Sequence, residues 1–184
     1  MDETKVYTLE EANNLFAKIY NGACWSLMSK EDRTPDDTAI MIDLAHASLL
    51  HWRENKAGTP ANLQRGEFLV STAYALAGRA EPALYHAKKC LDHSLRSPEA
   101  MSDFDIAYAY MAMARALALA GSEDEAKEYL SKMTDAAGKA NEAADKIGNE
   151  ADKQLFEGDL KMGDWYFLAD QVAAYGQGRP KNKI

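Results

Sequence analysis

Residues 74–83 read YALAGRAEPA and residues 117–126 read LALAGSEDEA, so one pattern recurs after 43 positions. In each copy an apolar run ends in a glycine, Gly78 or Gly121, and an alanine follows five residues later. Glycine readily takes the left-handed conformation that ends a helix, and alanine lets two helix backbones approach closely. The two stretches therefore predict two related hairpins of antiparallel helices, each closed by a tight turn.

Helix-start signals extend this pattern over most of the chain. In each signal a threonine or serine stands either three positions before an acidic residue or directly before a proline. The four signals are Thr8 with Glu11, Thr34 with Pro35, Thr59 with Pro60, and Ser102 with Asp105. Ser97-Pro98 is an alternative start for the fifth helix, and we favour Ser102. The predicted helices span about 9–28, 35–54, 60–77, 80–96, 103–121, 122–147 and 150–175.

The composition favours helices over strands. The chain of 184 residues has 32 alanines but only 3 valines and 6 isoleucines, and strands draw on β-branched residues. We therefore expect an all-α fold and a single helical domain over residues 1–175. Residues 176–184 combine Arg179, Lys181 and Lys183 with a proline, and we predict a disordered basic tail there.

Two sets of small and apolar residues carry a resemblance to a known family. Tyr74, Gly78 and Ala83 after Ser71, and Ala114, Leu117, Gly121, Ala126 and Leu130 in the second copy, resemble the tetratricopeptide repeat. The resemblance covers residues 60–137, and its recurrence of 43 residues against the family's 34 implies stretched helices. It implies antiparallel hairpins stacked as a short right-handed array of about seven helices. Residues 78–87 are also similar to a group of bacterial proteins, a likeness that implies no activity.

The resemblance also implies a binding groove. In arrays of this family the first helix of each unit lines the concave face, which places six residues there: Arg65, Phe68, Thr72, Tyr108, Met111 and Arg115. Arginines among aromatic and methionine side chains suit a protein or peptide segment that bears carboxylates. The alternative is that these arginines form internal salt bridges with Glu67, Asp103 or Asp105. The first interpretation makes the protein a non-enzymatic interaction module.

The histidines offer a different class of function. A metal- or small-molecule-dependent enzyme in a helical bundle could use His46, His51, His86 or His93. Cys90 shares a helical stripe with the last two of these, which are ~10 Å apart along the helix axis and too distant for one ion. The sequence contains no nucleotide-binding loop, metalloprotease, EF-hand or serine-hydrolase signature. We therefore predict no catalytic residue, no metal site and no cofactor.

The charge balance bears on possible partners. The chain carries 21 Lys and Arg against 29 Asp and Glu, a formal net charge of −8. This acidity argues against general binding to nucleic acid or to anionic membranes, both of which require clustered positive charge. Residues 165–168 read WYFL, and we expect this aromatic block either to cap the array or to join two copies as a homodimer.

Targeting signals and cysteine content indicate the cellular compartment of the protein. The sequence starts MDETK with no apolar stretch behind it, which is not typical of a secretory signal. The most apolar segment, 106–120, is interrupted by Arg115 and falls short of the ~20 residues that span a bilayer. Cys24 and Cys90 do not suggest a disulfide framework. We expect a cytoplasmic protein.

Overall fold

The regular structure is helical throughout the part of the chain that can be described. The computed structural model describes residues 6–135 except Glu123, Leu130 and Met133. Its helices are α1 (Leu9–Met28), α2 (Pro35–Glu54), α3 (Pro60–Leu76), α4 (Ala80–Arg96) and α5 (Asp103–Leu119), with a short 3-10 helix at Pro98–Ala100. Residues 124–129, 131, 132, 134 and 135 are also helical and begin the predicted sixth helix. The rest of that helix, the predicted seventh helix, the block at 165–168 and the tail at 176–184 lie outside the described residues.

The helix starts follow the predicted capping signals. Thr8, Thr34, Thr59 and Ser102 each accept a hydrogen bond from the backbone N–H three residues later, and that residue's side chain accepts one in return from the cap's backbone N–H. Such reciprocal bonds satisfy donors that a helix N-terminus otherwise leaves unpaired. The choice of Ser102 over Ser97 for α5 is confirmed, and Pro98 lies in the 3-10 helix.

The two recurring turns have the same geometry. Gly78 has φ = 71° and Gly121 has φ = 83°, both in the left-handed region. In the first turn the Arg79 amide donates to the Tyr74 carbonyl at 2.9 Å, and the equivalent bond 43 residues later is also 2.9 Å long. This pattern is the Schellman helix ending, which satisfies the last carbonyls of a helix. The glycine role predicted from the recurring sequence is therefore confirmed.

Replacing Gly78 with alanine is expected to destabilise the protein by about 1 kcal/mol, because a Cβ atom disfavours a positive φ. Gly22 supplies a control of opposite sign, since it lies inside α1 and a Cβ there would meet no atom within 4 Å. Gly22→Ala is expected to stabilise the protein by up to about 1 kcal/mol through helix propensity. Urea unfolding of both variants measures the effects, and equal signs for the two would contradict the prediction.

The helices pack so that alternate members share one face. Each helix from α1 to α5 packs on the next one, and α3 also contacts α1 and α5. Small residues permit the close approaches: Ala83 is fully buried and its carbonyl accepts a bond from the Ser71 hydroxyl at 2.9 Å. A side chain at Gly66 would come within 2.8 Å of Leu49 Cδ1. The side-by-side placement of α1, α3 and α5 positions the side chains described below.

None of the described helices is both long enough and apolar enough to cross a membrane. The segment 106–120 falls mostly within α5, whose small side chains are buried against α3 and α4.

Candidate functional site

Four aromatic side chains form a row across α1, α3 and α5, which we call the aromatic ladder: Trp25, Phe68, Tyr108 and Phe104. Ring centroids are 6.4 Å apart for Trp25 and Phe68, and 4.7 Å apart for Phe68 and Tyr108. Phe104 lies 4.0 Å from Tyr108 in an edge-to-face arrangement, which the charge distribution of aromatic rings favours. Phe68 is buried at the centre of the row, whereas Trp25 is 42% exposed at its α1 end.

An ion pair lies beside the ladder at the start of α5. Arg65 Nε and Nη2 donate to the two carboxylate oxygens of Asp105 at 2.7 and 3.1 Å. Asp105 is only 1% exposed, and it also accepts bonds from the backbone N–H and the hydroxyl of Ser102. The Arg65 side chain remains 56% exposed. The internal salt bridge that the sequence left open is therefore present for Arg65, and its guanidinium still reaches the surface.

A second arginine lies at the other end of the same helix face. Arg115 is half-buried, and its Nη1 donates to the Thr72 hydroxyl at 3.2 Å. Met111, one turn earlier on α5, is buried among the side chains of the core. Thr72 and Arg115 are 43 residues apart, so equivalent positions of the two recurring units touch side by side.

The contacts between α3 and α5 advance in the same direction along both helices, which therefore run parallel. The three pairs in order are Arg65 with Asp105, Phe68 with Tyr108, and Thr72 with Arg115. Of the six residues that the resemblance assigned to a groove, Arg65, Tyr108 and Arg115 keep exposed surface. Phe68, Thr72 and Met111 are buried where the helices meet. They can form only the floor of a binding surface.

Trp25 was not among the residues predicted for this face. The repeated pattern gave no reason to extend the groove to α1, because the resemblance begins only at residue 60. A signal does exist in the order of the helices, because α1 begins the hairpin that precedes α3 and therefore alternates with α3 and α5. If the expectation that the first helix of each unit lines the groove had been extended to α1, Trp25 could have been considered for the predicted face.

A buried carboxylate joins α2, α3 and α4 on the other side of α3. Glu67 is 1% exposed, and its two oxygens accept bonds from Arg53 Nη2 at 2.7 Å and from His86 Nδ1 at 2.6 Å. Burial acts to raise the pKa of Glu67, but the bonds from His86 and Arg53 outweigh it and hold that pKa below its usual range. Glu67 is therefore an ionised carboxylate, and it was predicted only as a partner for groove arginines.

His46, Tyr74 and His86 form a cluster above this carboxylate, which we call the histidine junction. His46 Nε2 and the Tyr74 hydroxyl share a hydrogen bond of 2.9 Å. The His46 ring lies 5.4 Å from the His86 ring, and Tyr74 stacks on His86 at 5.9 Å. Burial, followed by the neighbouring His86, lowers the pKa of His46. The junction thus links one side chain from each of α2, α3 and α4.

The four histidines of the enzyme interpretation do not converge. His51 Nδ1 bonds Asn13 Oδ1 at 2.8 Å on the α1 side of α2, away from the junction. Burial raises the pKa of the Cys90 thiol well above its ordinary value, which disfavours the thiolate that a metal requires. Across residues 6–135 with their three gaps, no group of three or more His, Cys, Asp or Glu residues is placed to hold a metal ion.

Comparison of the chain with protein-family models, with curated protein sequences and with solved structures gave no match. The described part of the chain is all-α, and the aromatic ladder and the histidine junction are its two main side-chain clusters.

Proposed function

We propose that this protein is a non-enzymatic interaction module that binds a carboxylate-bearing protein or peptide segment on the face of α1, α3 and α5. In this proposal the hairpins stack as a tetratricopeptide-like right-handed array of about seven helices, and that face is its concave side. The observation that carries the proposal is the aromatic ladder, which crosses three alternate helices and ends in the exposed Trp25.

Aromatic surface of this kind supports binding because tyrosine and tryptophan supply large contact areas with few rotatable bonds. Trp25 and Tyr108 both keep exposed surface. The buried Phe68 between them restrains their positions, so little side-chain freedom remains to be lost when a partner binds.

Charge supports a carboxylate-bearing partner. Arg65 and Arg115 flank the ladder on a chain whose net charge is −8. Arginine forms two parallel hydrogen bonds with a carboxylate, and such charge-assisted bonds add orientation as well as energy. An acidic residue of the partner near either arginine would place its neighbouring side chains on the ladder.

A selection from a displayed library of random 12-residue peptides tests the proposal. We expect enriched peptides to be rich in Asp and Glu and to bind Arg115→Gln at least about tenfold more weakly, as loss of one charge-assisted bond implies. Trp25→Ala is expected to weaken the same peptides by a similar factor. Circular dichroism checks that both variants remain folded.

Lys88→Gln is the matched control, because Lys88 is an exposed cation on α4. It is expected to leave peptide affinity unchanged. The proposal fails if no peptide is enriched, if the enriched peptides have no excess of carboxylates, or if the Arg115 and Trp25 variants bind them as tightly as the native chain.

A further inference from the structure

Within the histidine junction, the proton between His86 and Glu67 can be assigned to one atom. Glu67 is ionised and can only accept hydrogen bonds, so the proton in its 2.6 Å bond with His86 lies on His86 Nδ1. A further proton on His86 would therefore have to enter at Nε2. His46 packs against the His86 ring, and its Nε2 shares a hydrogen bond with the Tyr74 hydroxyl.

We infer that the histidine junction is a proton-sensitive contact that holds α2 and α4 together when His46 is neutral and weakens when His46 is protonated. The two rings meet edge to face at 5.4 Å, at an interplanar angle of 73°. A positive charge on His46 would be partly buried and would face His86. His86 is already hydrogen-bonded to Glu67 and has no second carboxylate bond among the described contacts. Histidine is the side chain that most readily makes such a switch near neutral pH.

Other charges around His46 partly oppose one another. Arg53 on α2 and His86 on α4 disfavour a proton on His46, whereas Asp43 on α2 and Glu67 on α3 favour it. Tyr74 on α3 contributes its hydroxyl. Burial is the largest influence, and together these groups lower the pKa of His46 below its ordinary value of 6.5.

The sign of the pH effect follows from that direction. The unfolded chain takes up the His46 proton at a higher pH than the folded chain does. The contribution of the junction is therefore complete above about pH 6.5 and is lost as the pH falls through the lower pKa of folded His46. Each unit between the two pKa values changes the ratio of folded to unfolded protein about tenfold.

His93 needs its own control because burial lowers its pKa as well. It is on α4, two helical turns beyond His86. The charges that act on its pKa are those of Glu67, Asp92, Lys89 and Arg53, and His46 is not among them. Replacing His93 therefore separates a general effect of buried histidine from the pairing of His46 with His86.

The test is an NMR titration of the histidine ring protons in the full chain, with urea unfolding at pH 8 and pH 5.5. We expect His46 to titrate below 6.5, to titrate higher in His86→Gln, and to be unchanged in His93→Gln. We also expect the native chain to lose more stability than His46→Gln between the two pH values. A His46 pKa at or above 6.5, or one that His86→Gln leaves unchanged, overturns the inference, as does an equal loss in His46→Gln.

Discussion

Replacing Glu67 with alanine is expected to lower the free energy of unfolding by about 3 kcal/mol. Removal of one member of a buried charge pair typically costs about 3–5 kcal/mol, and we place Glu67 at the lower end because its partner Arg53 is 48% exposed and can be solvated. His86, in contrast, is buried and would keep a donor without its acceptor. The change also leaves a cavity where α2, α3 and α4 meet.

Two further variants serve as comparisons for Glu67→Ala. Asp92→Ala removes a carboxylate that pairs with Arg96 on the surface of α4, and such exposed pairs contribute at most about 1 kcal/mol. Glu67→Gln keeps the volume and loses only the charge, so its effect should lie between the other two. A loss for Glu67→Ala no larger than that for Asp92→Ala would show that the buried network contributes little.

The charge on Glu67 also predicts the behaviour of the protein in acid. Because its folded pKa lies below the ordinary 4.5, its stabilising effect is present above about pH 4.5 and is lost as the pH falls through the folded value. This window begins at a lower pH than that of His46, which begins at about 6.5. In Glu67→Gln the loss of stability below about pH 4.5 should diminish.

Replacing Asp105 with alanine is expected to cost a similar amount, about 3 kcal/mol. Loss of a helix cap costs about 1 kcal/mol, and hydrogen bonds to a charged group contribute about 1.5–3 kcal/mol. The Asp105 carboxylate has both roles, because it accepts bonds from Ser102 at the start of α5 and from Arg65 on α3. Urea unfolding followed by circular dichroism measures the loss.

Asp37→Ala is the matched control for the cap alone. Asp37 occupies the same capping position at the start of α2, and its cationic partner Lys30 is exposed. Its replacement should therefore cost clearly less than that of Asp105. An equal cost for the two would mean that the bond from Arg65 to Asp105 adds nothing beyond the cap.

Much of the local structure could be predicted from short stretches of sequence. The starts of α1, α2, α3 and α5 follow from capping residues, and the turns at Gly78 and Gly121 follow from glycine's freedom at positive φ. These preferences act between residues at most a few positions apart. A reader of the sequence can therefore recognise them without knowing which helices meet.

The candidate site was predicted less completely because its contacts join distant parts of the chain. Arg65 was assigned to a groove, and the 40 residues that separate it from Asp105 concealed their bond. Trp25 was missed because the recurring pattern does not reach α1. The burial of Thr72 and Met111 likewise depends on the rotation of α3 and α5 about their axes, which no short motif encodes.

For residues 6–135, the sequence by itself determined an all-α fold, the starts of α1 to α5 and the positions of the two glycine turns. The tertiary structure alone decided that Glu67 would meet Arg53 and His86, and that His46 would face His86 across α2 and α4. The physical reason is one of range. Caps and glycine turns are set by neighbours along the backbone, whereas the pairing of buried polar groups follows from the packing of whole helices, a sum of many weak contacts.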